Sequence, residues 1–371
     1  MKAKNIVLGA LVALVAALVA MGLLFCWNSP TNWMFGEGSH GYAFRQLLYG
    51  LIGLTFLGMA AMVKWEQWLK AAPWLIAVWL AGYIYVNCQP PICGQCKWLD
   101  LGGIHLDVTA LGLPAGALLL AWLDRNFKIR PWMVVLALAA IWTTIVCMNP
   151  NRLARLCDFI QAAGTTPESA SASGKAVSFL ASQYHGALNM AHWFSGVEAS
   201  LRAVPEAMGT GMMATSAIIF GKWFPALATM LAAVLAGVWV YLGALVADRS
   251  KRIFLGVVGV FTIVPIFQCL FQCLEITPIV RMSCTPLGYG GTPLMMLGLC
   301  LGIICALLRE DAEGRSVRPT STQILLCAGV PLILTTLALS ALLFAPDRGR
   351  HLEQDVHPRE SSSQRLLRGC P

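Results

Sequence analysis

Nine runs of about twenty residues, almost devoid of charge and separated by short charged clusters, constrain this chain more than any motif does. A bilayer hydrocarbon core about 30 Å thick takes about 20 apolar residues per helix. Uncharged runs of suitable length are Ile6–Cys26, Leu47–Val63, Pro73–Val86, Val108–Leu123, Trp132–Met148, Phe224–Val246, Ile253–Leu274, Leu294–Leu308 and Ile324–Phe344. The third and fourth are short and call for extension or tilt, and the eighth starts in a Gly-rich stretch, Gly288–Gly291, expected to be non-helical. Charged residues make up 12% of the 371 positions, against about 25% in a soluble domain. The mean hydropathy of +0.68 agrees. Two or three soluble domains would fit the length, but lipid is the solvent that fits the pattern. The expected fold class is an all-α polytopic membrane protein of about nine helices with one long loop outside the bilayer.

The first run follows Met1-Lys2-Ala3-Lys4 and is too long for a secretory signal. No small-residue cleavage site follows in Phe25-Cys26-Trp27-Asn28, so it reads as a signal anchor. A cytoplasmic N-terminus places Lys64/Lys70, Arg125/Lys128/Arg130, Arg249/Lys251/Arg252 and Arg309/Arg315/Arg318 inside, whereas the opposite short loops hold only Arg45, Lys97 and Arg281. That is the positive-inside asymmetry, and the net charge of +8 then needs no nucleic-acid partner. The tail 347–371 is polar, mixed in charge and expected to be disordered. Residues 149–223 form the one long non-spanning stretch. Its apolar part, 176–217, predicts short helices on the outer membrane surface, where the chemistry is expected.

Charge inside the spans would point to an ion-coupled transporter, and these spans carry essentially none; Glu275 sits only at an outer end. Seven of the thirteen cysteines lie in or at the ends of apolar runs, as small hydrophobes do. Cys88, Cys93 and Cys96 share one outer loop, with Cys93-Gly94-Gln95-Cys96 in C-x-x-C form. A structural disulfide is the first reading there and a redox pair the second; no His pair completes a zinc site. The six histidines fall on outward segments without metal-ligand spacing. Gly288-Tyr289-Gly290-Gly291-Thr292-Pro293 is either a close-packed turn or an anion site made by exposed N–H groups at a helix start. Arg152 and Arg155, one helical turn apart, are either headgroup contacts or a phosphate clamp.

The stretch Pro278 to Leu294 is similar to P-V-T-G-x-x-L-P-F-x-S-Y-G-G-S-S-L, with Pro278, Tyr289, Gly290, Gly291 and Leu294 in place. Phe44-Arg45-Gln46 looks like an R-Q pair opening a second span, and Lys97-Trp98-Leu99-Asp100-Leu101-Gly102-Gly103 resembles [KR]-R-W-I-x-L-G-G. Arg152 to Ile160 is similar to R-x-x-R-I-x-A-F-L, and Trp193-Phe194-Ser195-Gly196 and Val204-Pro205-Glu206-Ala207 stand where W-F-G and L-P-E-A would. In this order the patches resemble the SEDS family (shape, elongation, division and sporulation), of FtsW, RodA and SpoVE type, over roughly residues 6–308. Residues 309–346 then form a cytoplasmic linker and an added helix.

The resemblance implies a peptidoglycan glycosyltransferase that polymerises lipid II, an undecaprenyl-linked precursor, beside a class B penicillin-binding protein. The setting would be a bacterial inner (plasma) membrane, in cell-wall biogenesis for division or shape. It implies substrate contacts at Arg45, Gln46, Lys97, Trp98, Arg152, Arg155, Tyr289, Gly290 and Gly291; no cofactor is firmly implied, a divalent metal being compatible. The family's essential Asp in L-P-E-A-H-T-D falls on Thr210, whose hydroxyl is no general base near neutral pH. Glu206, four residues earlier, is then the candidate base. Asp107-Val108-Thr109-Ala110 replaces Q-P-S-E, no Q-P-D-L-G-T occurs, and only one span fits between Leu123 and Arg152 where the family has three. Alternatives are a degenerate SEDS scaffold for a transpeptidase and a flippase for a lipid-linked precursor.

Overall fold

The computed structural model describes residues 2–28, 41–89, 98–100, 105–128, 130, 188, 191–194, 212–274, 284–288 and 290–311, with single positions between 132 and 143 and between 329 and 340. Eight helices and one hairpin are set out there: α1 (Lys2–Asn28), α2 (Gly41–Met62), α3 (Trp65–Asn87), β1 (Trp98–Asp100), β2 (His105–Asp107), α4 (Val108–Phe127), α5 (Met212–Phe220), α6 (Trp223–Leu245), α7 (Arg249–Cys273) and α8 (Gly291–Asp311). All but α5 are long and apolar enough to cross a membrane, so seven spans stand among the described residues. Apart from those single positions, the expected fifth and ninth spans and the linker 309–346 beyond Asp311 fall outside them, as do the loop 149–211 apart from five positions and the tail.

Apart from α6, the remaining spans run longer than their uncharged cores. Helix α3 starts at Trp65 rather than Pro73, carrying Glu66 and Lys70 in its first turns. Charge bounds the part of a helix that lipid tolerates, whereas hydrogen bonding bounds the helix itself. Glu66 is accommodated because Arg125 of α4 meets it at 2.7 Å. Pro73, Pro114 and Pro265 lie inside helices, as proline often does in membrane helices whose neighbours satisfy the released carbonyl.

Helices α2 and α8 make the most intimate contact of the bundle. A Cβ on Gly298 would collide with the Gly53 carbonyl, and one on Gly302 with Leu57 O and the Ala60 methyl. Small residues four apart let two backbones approach closely, which substitutes for the hydrophobic drive that lipid removes. Two tryptophans lock other neighbours. Trp79 of α3 lies over Gly112 and donates to Val108 O at 3.0 Å; Trp239 of α6 lies over Gly259 and donates to Leu255 O at 2.6 Å. In each pair glycine makes room for the indole, whose N–H satisfies a carbonyl of the facing helix.

Side chains such as Leu51, Leu54, Met59, Trp74 and Val78 on α2 and α3 point outward. In a bilayer that is ordinary lipid contact. One end of the bundle gathers the expected cytoplasmic charges. Arg249 Nε pairs with the buried Asp124 at 3.2 Å, Trp65 N donates to Glu310 Oε1 at 2.9 Å, and Lys251 Nζ reaches Leu307 O at 3.5 Å. Asp248 caps α7 by accepting from Ser250 N at 2.8 Å.

Candidate functional site

The opposite end carries the motif residues, and it is organised around the entrance to α8. The turn Cys284–Gly288 precedes that helix and closes with Gly288 N donating to Cys284 O at 2.6 Å. Gly22 of α1 has no room for a side chain because the Pro286 and Leu287 carbonyls face it. From α2, Gln46 reaches the same segment with both ends of its amide: Nε2 donates to Gly288 O at 3.2 Å, and Oε1 accepts from Gly290 N at 3.2 Å. Gln46 is 1% exposed. One helical turn on, the Tyr49 ring covers Gly291, where any Cβ would clash.

The hairpin joins this cluster from the other side. Trp98 pairs with Asp107, Leu99 with Leu106 and Asp100 with His105 in antiparallel register. Asp107 ends the hairpin and caps α4, its carboxylate accepting from Thr109 N at 3.0 Å and from the Thr109 hydroxyl. Its own N–H donates to Thr292 Oγ1 at 3.0 Å, tying the hairpin to the first turn of α8. The hairpin that carries Trp98-Leu99-Asp100 and the first turn of α8, far apart in sequence, thus meet.

The third contribution comes from the end of the long loop. Helix α5 begins two residues after Thr210, and Met212 to Ile218 are all buried. The sequence pattern predicted helices lying on the membrane surface; in its described part the segment instead packs into the bundle against α6 and α7. Its lack of any charged residue is the reason, with only the hydroxyls of Thr215 and Ser216 among apolar side chains: a surface helix needs one strongly polar side. Gly221, at φ 98°, makes the turn into α6. His192 O accepts from Lys222 N at 2.9 Å and Trp193 O from Trp223 N at 3.1 Å, strapping residues 191–194 over the start of α6. Partial burial pulls the Lys222 ammonium below its usual value.

Of the expected site residues, Gln46, Trp98, Gly290 and Gly291 come together here, with Arg45 exposed beside them. Lys97, Arg152, Arg155, Glu206, Thr210 and Tyr289 lie outside the described residues, as do Cys93 and Cys96; Cys88 is an exposed thiol. Between the two readings of the Gly-rich stretch, the described geometry is that of a close-packed turn. Gly290 N–H, which an anion would need, is taken by Gln46. Tyr49, Asp107, Thr292 and Lys222 are additions. An Asp two residues before a Thr at a helix start is a capping signal that could have marked Asp107; nothing in one sequence pairs Thr292 with it. Among the described residues no group of His, Cys, Asp and Glu is disposed to hold a metal ion.

No protein-family model matches the chain. A stretch of 105 residues is 27% identical to a probable peptidoglycan glycosyltransferase FtsW from Thioalkalivibrio sp. (strain K90mix), covering 26% of this chain and 26% of that relative. The chain thus spans about a quarter of the curated relative it matches. The fold carries further. A solved peptidoglycan synthase complex, described for its coordination of polymerization and crosslinking, superposes with a TM-score of 0.61 at 17% identity, over 82% of this chain and 98% of that one. The rod shape determining protein RodA of Thermus thermophilus superposes with a TM-score of 0.55 at 18% identity, over 82% and 97%; a mutant form of it gives 0.56 at 19%, over 82% and 98%. With Gln46, the Trp98 hairpin and Gly290–Gly291 gathered at one end, this chain is a multi-pass membrane protein with the SEDS fold of the RodA and FtsW type.

Proposed function

We propose that the protein is a SEDS-type peptidoglycan glycosyltransferase that extends glycan strands from lipid II at the outer face of a bacterial inner membrane. Its N-terminus is then cytoplasmic and its partner a class B penicillin-binding protein. The observation that carries this reading is the fold shared with a peptidoglycan synthase over 82% of the chain. It is supported by the convergence of Gln46, the Trp98 hairpin and Gly290–Gly291 at the end where the long loop returns. In this reading Arg45, Lys97, Arg152 and Arg155 are the cations that meet the pyrophosphate. Glu206 takes the proton from the attacking sugar hydroxyl, because a threonine at position 210 cannot.

A second reading, a scaffold that has lost catalysis but keeps a transpeptidase-docking surface, is favoured by Thr210 itself. The test is purified protein with a cognate transpeptidase and labelled lipid II, with products sized on a gel. Polymer that disappears in Glu206→Ala supports catalysis. Absence of polymer in the parent and its appearance in Thr210→Asp would mark recent loss of catalysis, and absence of polymer with retained transpeptidase binding would assign the scaffold role.

A further inference from the structure

Where α2 turns into α3, the surface of the bundle is broken by a cleft of about 240 Å³, lined by Phe56, Met59, Ala60, Val63, Trp68 and Leu299. The cleft has a cause in the packing. Gly298 and Gly302 draw α8 onto the backbone of α2, whereas α3 turns away after Val63 and Lys64 to pack on α4. Trp68 Nε1 donates to Ala60 O at 3.3 Å, tying the indole across the gap. Every lining side chain is apolar, and from Phe56 to Val63 the cleft follows α2 for about 10 Å, two turns of helix.

Two cations stand at its end. Lys64 follows Val63 directly and is exposed. Helices α2 and α8 run parallel, Gly298 against Gly53 and Gly302 against Leu57, so Arg309, about two turns beyond Gly302 on the same face, stands just past the end of α2. The bond from Trp65 N to Glu310 Oε1 at 2.9 Å fixes that level, because Lys64 and Arg309 are the chain neighbours of its two partners. Arg309 is exposed as well. The ion pairs at this end among the described residues, Arg125–Glu66 and Arg249–Asp124, involve neither cation. The positive-inside rule accounts for basic residues anywhere at this end, but not for two of them at the mouth of an apolar cleft. We propose that the cleft and the Lys64–Arg309 pair bind one anionic glycerophospholipid from the leaflet at this end, with an acyl chain in the cleft and the phosphate between the cations. Arginine grips a phosphate through two parallel N–H groups, and lysine adds a point charge on a long apolar stem. A zwitterionic lipid brings its own ammonium against the same two cations, so the site selects by repulsion as well as attraction.

The full-length protein in detergent is titrated with dioleoyl phosphatidylglycerol or dioleoyl phosphatidylcholine, and retained lipid is counted by native mass spectrometry. One phosphatidylglycerol should be held about tenfold more tightly than phosphatidylcholine, a ratio within reach of two cations at a membrane surface. The double variant Lys64→Gln/Arg309→Gln should lose that preference, and Leu299→Phe, which fills the cleft, should weaken retention of both lipids. Lys70→Gln should change nothing, since Lys70 is exposed two residues past Trp68 on the other side of α3. Equal affinity for the two lipids, a preference that survives the double variant, or a loss in Lys70→Gln as large as in the double variant would each overturn the proposal. Retention unchanged by Leu299→Phe would do the same, by showing that no chain enters the cleft. Variants that melt like the parent without added lipid exclude misfolding as the cause of a loss. The inference rests on the membrane-spanning fold alone, and its readout is indifferent to whether the protein polymerises glycan.

Discussion

Replacing Gln46 with methionine is the sharpest test of how the α8 entrance is built. The two side chains are nearly equal in length, so the exchange leaves no large cavity and isolates the two hydrogen bonds. Gly288 O is buried and accepts from Gln46 Nε2; Gly290 N is half-buried and donates to Gln46 Oε1. A buried polar backbone group left without its partner costs about 1–3 kcal/mol, and a half-exposed one about 1 kcal/mol, since water covers part of the loss. Their sum, about 2–4 kcal/mol, is a roughly 30- to 1000-fold rise in the population of the opened turn. Hydrogen exchange in detergent or nanodiscs reads this directly at Gly288 and Gly290, with α6 amides as an internal reference. Gln46→Glu keeps the acceptor for Gly290 but sets an oxygen against Gly288 O, so it should fall between the parent and Gln46→Met at Gly290. An exchange rate at Gly290 raised less than threefold in Gln46→Met, in a protein that melts normally, would refute the clamp.

Other outcomes follow from the same contacts. Gly298→Ala drives a methyl into the Gly53 carbonyl and should lower stability by about 1–3 kcal/mol. Gly58→Ala, with nothing within 4 Å, should be neutral or stabilising by up to about 1 kcal/mol; thermal melts of the two variants in one detergent check the contrast. Trp239→Phe removes the donor to Leu255 O and should cost about 1 kcal/mol, and Gly259→Ala, which collides with the Trp239 ring, should cost more; equal melts for both would refute the lock. Lys222 has a folded-state value below its unfolded one, so the unfolded chain binds the extra proton between the two. Stability should therefore rise with pH between the lowered value and the usual lysine value, and Lys222→Met should flatten that rise in a pH-dependent melt.

Long uncharged runs and the placement of basic residues were enough to read a membrane bundle, because a bilayer accepts a backbone only as a closed helix or barrel and charge only at the ends. Six motif patches in order pointed to the SEDS fold, and the meeting of Gln46, the Trp98 hairpin and Gly290–Gly291 around the start of α8 agrees. Gln46 shows where that reading stops. Its place in an R-Q pair marks it for substrate, yet both ends of its amide are held by a backbone 242 and 244 residues away. Asp107 is similar: local spacing makes it a helix cap, while its bond to Thr292 spans 185 residues. Periodicity and composition report what surrounds a segment, lipid or water, and so determine spans and ends. Which carbonyl meets which side chain and which glycine lets two helices touch depend on chain elements far apart in sequence, and only packing in three dimensions decided them.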